Sequence, residues 1–110
     1  MIRNIEFDQR PIGAGEMRAL VVHADSPLRV AIKCFVEAPP PRGYRPCDAC
    51  GVITLQSGAM HFINADKGAF KEEGGRLEIT VSDRSGDTRT FNLEVQIKDI
   101  EPTVMPTASA

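Results

Sequence analysis

Residues 74–99 read GGRLEITVSDRSGDTRTFNLEVQIKD, and this stretch decides the fold. Leu77, Ile79 and Val81 alternate with Glu78, Thr80 and Ser82, the two-residue period of a strand with one buried face. After DRSGDT, whose Asp, Ser and Gly favour a turn, Phe91, Leu93, Val95 and Ile97 alternate with Asn92, Glu94, Gln96 and Lys98 in the same rhythm. The pair reads as an antiparallel hairpin with one wet face, and a register slip of one residue would turn all seven apolar side chains into water.

Working outward, MRALVVHA (17–24) and LRVAIKCFVE (28–37) are rich in β-branched residues and are separated by DSP, a turn signal. In the second, Leu28, Val30, Ile32, Cys34 and Val36 share one face, so Cys34 is expected to be buried. A short strand around IRNIEFD, then GVITLQ and AMHFIN joined across Ser57-Gly58, bring the count to seven, with Phe70 as an extra core residue. No stretch of a dozen residues keeps apolar residues on a helical period. The expected fold is all-β: an antiparallel sandwich of about seven strands, residues 1–100, followed by an extended tail, residues 101–110.

GGRLEITVSDRSGDTRTFNLEVQIKDIEP resembles the last two strands of immunoglobulin-like domains of the PKD and cadherin-like kind, and RPIGAGEMRALVVHADSPLRVAIKCF is similar to their opening strands. The resemblance implies an immunoglobulin-like sandwich. Two features depart from it: Cys34 stands on the third strand where antibody-type domains carry Trp, and no cysteine pair is placed to bridge two sheets. The cadherin-type calcium motif is incomplete, although Asp83, Ser85 and Asp87 offer oxygens at alternating positions in the hairpin loop.

Composition narrows the function. With 110 residues the chain is long enough for one core without a staple. A formal charge of −2, with basic residues scattered among acidic ones, offers no field for nucleic acid. The longest apolar run falls far short of the roughly 20 residues of a membrane-spanning helix. The start, MIRNIEFDQRP, has no apolar signal core, so nothing in it directs secretion. No nucleophile elbow or glycine-rich phosphate loop is present, and neither His23 nor His61 stands beside a nucleophile motif. The chain reads as non-enzymatic, with no cofactor.

The loop APPPRGYRPCDAC (38–50), with four prolines in thirteen residues, leaves no room for a regular strand and forms a stiff projection. It holds the only tyrosine, Tyr44, between Arg42 and Arg45, residue types that anchor interfaces. The tail EPTVMPTASA could lay Val104 and Met105 along a partner's strand edge. Cys47 and Cys50 could form a disulfide, within the pair or to a neighbouring subunit, or remain free thiols. They could also supply half of a zinc knuckle completed by His61, Cys34 or His23. Because Cys34 should point into the core, no stoichiometric zinc is expected and no metal is assigned.

The expected job is that of a structural, interacting protein bound to other protein subunits, without nucleic acid or membrane. Accessory proteins that decorate the head, neck or tail of tailed bacteriophage virions resemble this pattern, which implies a virion location after synthesis in the host cytoplasm. An adhesion module of an extracellular or cell-surface protein and a small zinc-stabilised adaptor are the alternatives.

Overall fold

The computed structural model describes residues 1–37, 43–46, 51–70 and 74–97. Nine strands follow one another: β1 (Ile2–Glu6), β2 (Ile12–Gly13), β3 (Met17–Ala24), β4 (Leu28–Glu37), β5 (Tyr44–Pro46), β6 (Gly51–Leu55), β7 (Met60–Asn64), β8 (Gly75–Ser82) and β9 (Thr88–Gln96). Among the described residues there is no helix, and so none long and apolar enough to cross a membrane. A three-stranded sheet has the order β1-β3-β7, and a six-stranded sheet the order β2-β9-β8-β4-β5, with β6 also paired to β4.

The hairpin that decides the fold is β8–β9, antiparallel, with Leu77 opposite Leu93 and Ile79 opposite Phe91. Leu77, Ile79, Val81 and Leu93 are 0% exposed and Val95 is buried, while Phe91 and Ile97 are half-buried against the same cluster. On its other side β8 pairs with β4 from Arg29 opposite Ser82 to Val36 opposite Gly75, which makes β4 the spine of the larger sheet. Leu28, Val30, Cys34 and Val36 of β4 are buried, whereas Ile32 of the same face is half-buried. Leu20, Val22 and Ile63 of the smaller sheet join them in one core, so the two sheets form two layers around a shared apolar interior.

Three features depart from the sequence expectation. The strand count rises from seven to nine through β2 and β5. β2 pairs with β9 in parallel, Ile12 opposite Val95 and Gly13 opposite Gln96, so the sheets are not wholly antiparallel. Two residues are too few for any alternation to show in sequence. A short strand also runs through the proline-rich loop, with Tyr44, Arg45 and Pro46 opposite Glu37, Val36 and Phe35. Pro46 is tolerated there because it ends an edge strand.

Five connections between consecutive strands switch sheets: β1–β2, β2–β3, β3–β4, β6–β7 and β7–β8. Asp25-Ser26-Pro27 carries the chain from β3 in the smaller sheet to β4 in the larger, and Gln56 to Ala59 carries it back from β6 to β7. The passage from β1 to β2 is held by Arg18, whose guanidinium donates to the carbonyl oxygens of Asp8, Arg10 at 2.9 Å and Pro11 at 3.3 Å.

Candidate functional site

The two outer faces differ in chemistry. On the six-stranded sheet the outward side chains are mixed: Arg76 donates to Asn92 Oδ1 at 2.6 Å and lies 4.2 Å from the Phe35 ring centroid, the Thr80 and Thr90 hydroxyls meet at 3.3 Å, and Val52, opposite Ala31, stands exposed beside them. On the three-stranded sheet Leu20, Val22 and Ile63 point inward, so Met17, Ala19 and Val21 of β3 and Met60 and Phe62 of β7 point out. The register sets Ala19 opposite Phe62 and Val21 opposite Met60, which merges them into one apolar stripe. Met17, Met60 and Phe62 are 62%, 59% and 53% exposed. At the far end of this face His23 Nε2 lies 2.7 Å from Glu6 Oε2. Among the described residues β7 pairs only with β3, which leaves its other edge open.

No protein-family model, curated protein or solved structure matches the chain. Function therefore has to be read from the side chains themselves.

Of the residues singled out in sequence, Tyr44 and Arg45 fall on β5, an edge of the larger sheet. Arg42, Cys47, Cys50, Val104 and Met105 lie outside the described residues. The apolar stripe was missed because MRALVVHA and AMHFIN carry apolar residues on both faces, so their alternation does not say which side is wet.

A second feature lies at the margin between the layers. Cys34 of β4 and His61 of β7, which shares the inward face of Ile63, line a common cavity of about 270 Å³ together with Gly51 and Asp66. Cys34 is buried, as the alternation in LRVAIKCFVE requires.

The Asp83–Asp87 turn is a closed device. Asp83 Oδ1 accepts from the Ser85 amide at 3.0 Å, the Ser85 hydroxyl at 2.7 Å and the Asp87 amide at 3.0 Å. Asp83 Oδ2 faces the Met1 ammonium, and Asp87 Oδ2 accepts from the Ile2 amide at 3.0 Å. Gly86, with φ of 94°, supplies the left-handed residue that the turn needs. The oxygens that suggested calcium are thus engaged by hydrogen donors and by an ammonium, and they tie the β8–β9 turn to the first strand.

The Met1 ammonium, and after it the Ser85 hydroxyl, hold the Asp83 carboxyl well below the ordinary carboxylate range, against burial, which pulls the other way. A carboxylate whose folded pKa is depressed stabilises the fold above its unfolded pKa, and that contribution is lost as pH falls toward the folded value. Melting temperature should therefore decline with acidification from about pH 5 downward. Asp83→Asn keeps an oxygen acceptor for the turn but no charge, so its melting temperature should be lower at neutral pH and decline less steeply in acid. Parallel slopes for the two proteins, followed by circular dichroism, would remove Asp83 from the acid response.

Proposed function

We propose that the chain is a non-enzymatic, immunoglobulin-like protein-binding module that docks on another protein subunit through the outer face of its three-stranded sheet. The observation that carries this is the stripe of Met17, Met60 and Phe62, three large apolar side chains exposed together on one sheet, where the other sheet's outward face sets Val52 among polar side chains bonded to one another. Contiguous exposed apolar side chains of this kind mark interaction surfaces. The immunoglobulin-like reading is supported by strand order. If β1, β3 and β7 are strands A, B and E, and β4, β8 and β9 are C, F and G, the sheets run A-B-E and G-F-C, with Cys34 on C.

The assembly we propose is a tailed-bacteriophage virion, with the chain as an accessory subunit on its head, neck or tail. The partner surface would be apolar at its centre and would extend along the open edge of β7. Flanking capsid, portal or tail genes would accompany this role, whereas a secretion signal encoded upstream would place the same face on a cell-surface module.

Phe62→Asp tests the docking face. Because Phe62 already lies in water, the variant should keep its fold, with a stability change within about 0.5 kcal/mol. Its affinity for the particle should fall by roughly thirtyfold or more, the cost of about 2 kcal/mol for losing a central apolar anchor. Tyr44→Ala and deletion of 102–110 should each retain more binding than Phe62→Asp, with occupancy in the purified particle as the readout. Wild-type occupancy for Phe62→Asp, beside loss for either of the others, would move the interface to the loop or the tail.

A further inference from the structure

We infer that a cavity on the outward face of the six-stranded sheet is an oxyanion site that takes a phosphate monoester. The cavity, of about 320 Å³, is lined by Arg29 of β4, Thr54 of β6, Ser82 at the end of β8 and Arg84 in the turn that follows. Its sheet is not the one that carries Met17, Met60 and Phe62, so the site stands independently of the docking face proposed above.

The strand register builds it. Arg29 pairs with Thr54 on one side and with Ser82 on the other, so the three side chains form a row across β6, β4 and β8. Leu28, Val30, Leu55 and Val81, their neighbours in sequence, are buried, which turns the row outward. Side chains directly opposite on adjacent strands start about 4.5–5.5 Å apart, within reach of one small ligand. Arg84 enters from the turn, whose backbone is fixed by Asp83 Oδ1 through the Ser85 and Asp87 amides.

The donors of these four side chains are unspent. Arg3, Arg10, Arg18, Arg76 and Arg89 each face a carboxylate oxygen at 2.6–3.8 Å. Among the described residues no acceptor pairs with the side chains of Arg29, Arg84, Thr54 or Ser82. Asp83 also lines the cavity, but its carboxylate is 0% exposed and is engaged by Ser85, Asp87 and the Met1 ammonium. Two guanidinium charges are therefore left without a counter-charge where two hydroxyls stand between and beside them. Guanidinium forks match phosphate oxygens, and hydroxyls add neutral donors. Two cations balance the charge of about −1.5 to −2 that a phosphate monoester carries near neutral pH, whereas a carboxylate or a sulfate monoester brings a single charge.

The test titrates the full chain with methyl phosphate at fixed ionic strength and follows backbone amide shifts by NMR. Shifts should saturate at Arg29, Thr54, Ser82 and Arg84. Arg29→Gln and Arg84→Gln should each weaken binding by roughly tenfold or more, the loss that accompanies one charge-assisted bond. Both residues are exposed, so both variants should keep their fold. Arg29→Lys, which keeps the charge but not the fork, should bind between wild type and Arg29→Gln. Arg10→Ala, beside β2 at the other end of the larger sheet, should bind as wild type. Methyl sulfate and acetate should bind roughly tenfold more weakly than methyl phosphate, or worse. A phosphoserine peptide forms a second arm: tighter binding than methyl phosphate would place the ester on a partner protein, and equal or weaker binding would assign it to a free small molecule. Shifts that rise without saturating, affinity indifferent to both Arg29→Gln and Arg84→Gln, an equal loss in Arg10→Ala, or methyl sulfate bound as tightly as methyl phosphate would each overturn the site.

Discussion

Gly75→Ala should cost the protein about 3 kcal/mol of stability or more. A methyl group there would fall on the Phe35 carbonyl oxygen, lie 2.9 Å from Val36 Cα and sit 2.8 Å from Cε1 of Phe70. Two of these neighbours are backbone of β4, which pairs with β8 along its length, so neither can move without shifting the register of the central strands. Overpacking commonly costs about 1–3 kcal/mol, and a clash with fixed backbone belongs at or beyond the upper end. Set against the roughly 5–15 kcal/mol that holds a domain, that is a large share. Urea midpoints would show it, and a midpoint equal to wild type would mean that the first residue of β8 lies farther from β4 than described.

Phe70→Ala should cost about 3–5 kcal/mol, the usual range for emptying a buried aromatic site. Phe70 is 1% exposed and stands outside any strand. A turn delivers it: the Asp66 carbonyl accepts from the amides of Ala69 at 3.0 Å and Phe70 at 3.1 Å, and Asp66 Oδ1 accepts from the Gly68 amide at 3.0 Å. The ring then fills the space beside Gly75. Combining Phe70→Ala with Gly75→Ala removes the ring contact but leaves the collision with β4 backbone, so the double variant should not recover. A double variant as stable as Phe70→Ala alone would assign the crowding at Gly75 to the ring and not to the carbonyl.

What could be read in the sequence was what short-range chemistry encodes. Leu77 to Val81 and Phe91 to Val95 were legible because Glu78, Thr80, Asn92 and Glu94 mark the wet side. Phe70 was legible as an isolated apolar residue in a charged stretch. Sheet membership was not: β3 and β4 adjoin in sequence but lie in different layers, and nothing in Asp25-Ser26-Pro27 says whether the turn closes a hairpin or changes sheets. The juxtaposition of Cys34 and His61 was hidden for the same reason, since it arises from packing across the core. The oxygens of Asp83 and Asp87 were visible as candidates. Their partners at Met1 and Ile2, more than eighty positions away, were not.

The short parallel pairing of β2 with β9 gives the domain a mechanical direction. Ile12 and Gly13 lie beside Val95 and Gln96, with a further bond of 2.9 Å from the Ala14 amide to the Gln96 carbonyl. Tension that draws the N-terminal flank of β2 and the C-terminal flank of β9 apart runs along these two strands and loads their bonds in shear, so the bonds carry the force together. The antiparallel β8–β9 hairpin, pulled from its two open ends, would instead release its bonds one after another. A subunit tethered through both flanks would meet stress first at its shear-resistant seam, with the tie from the β8–β9 turn to β1 remaining outside the line of force.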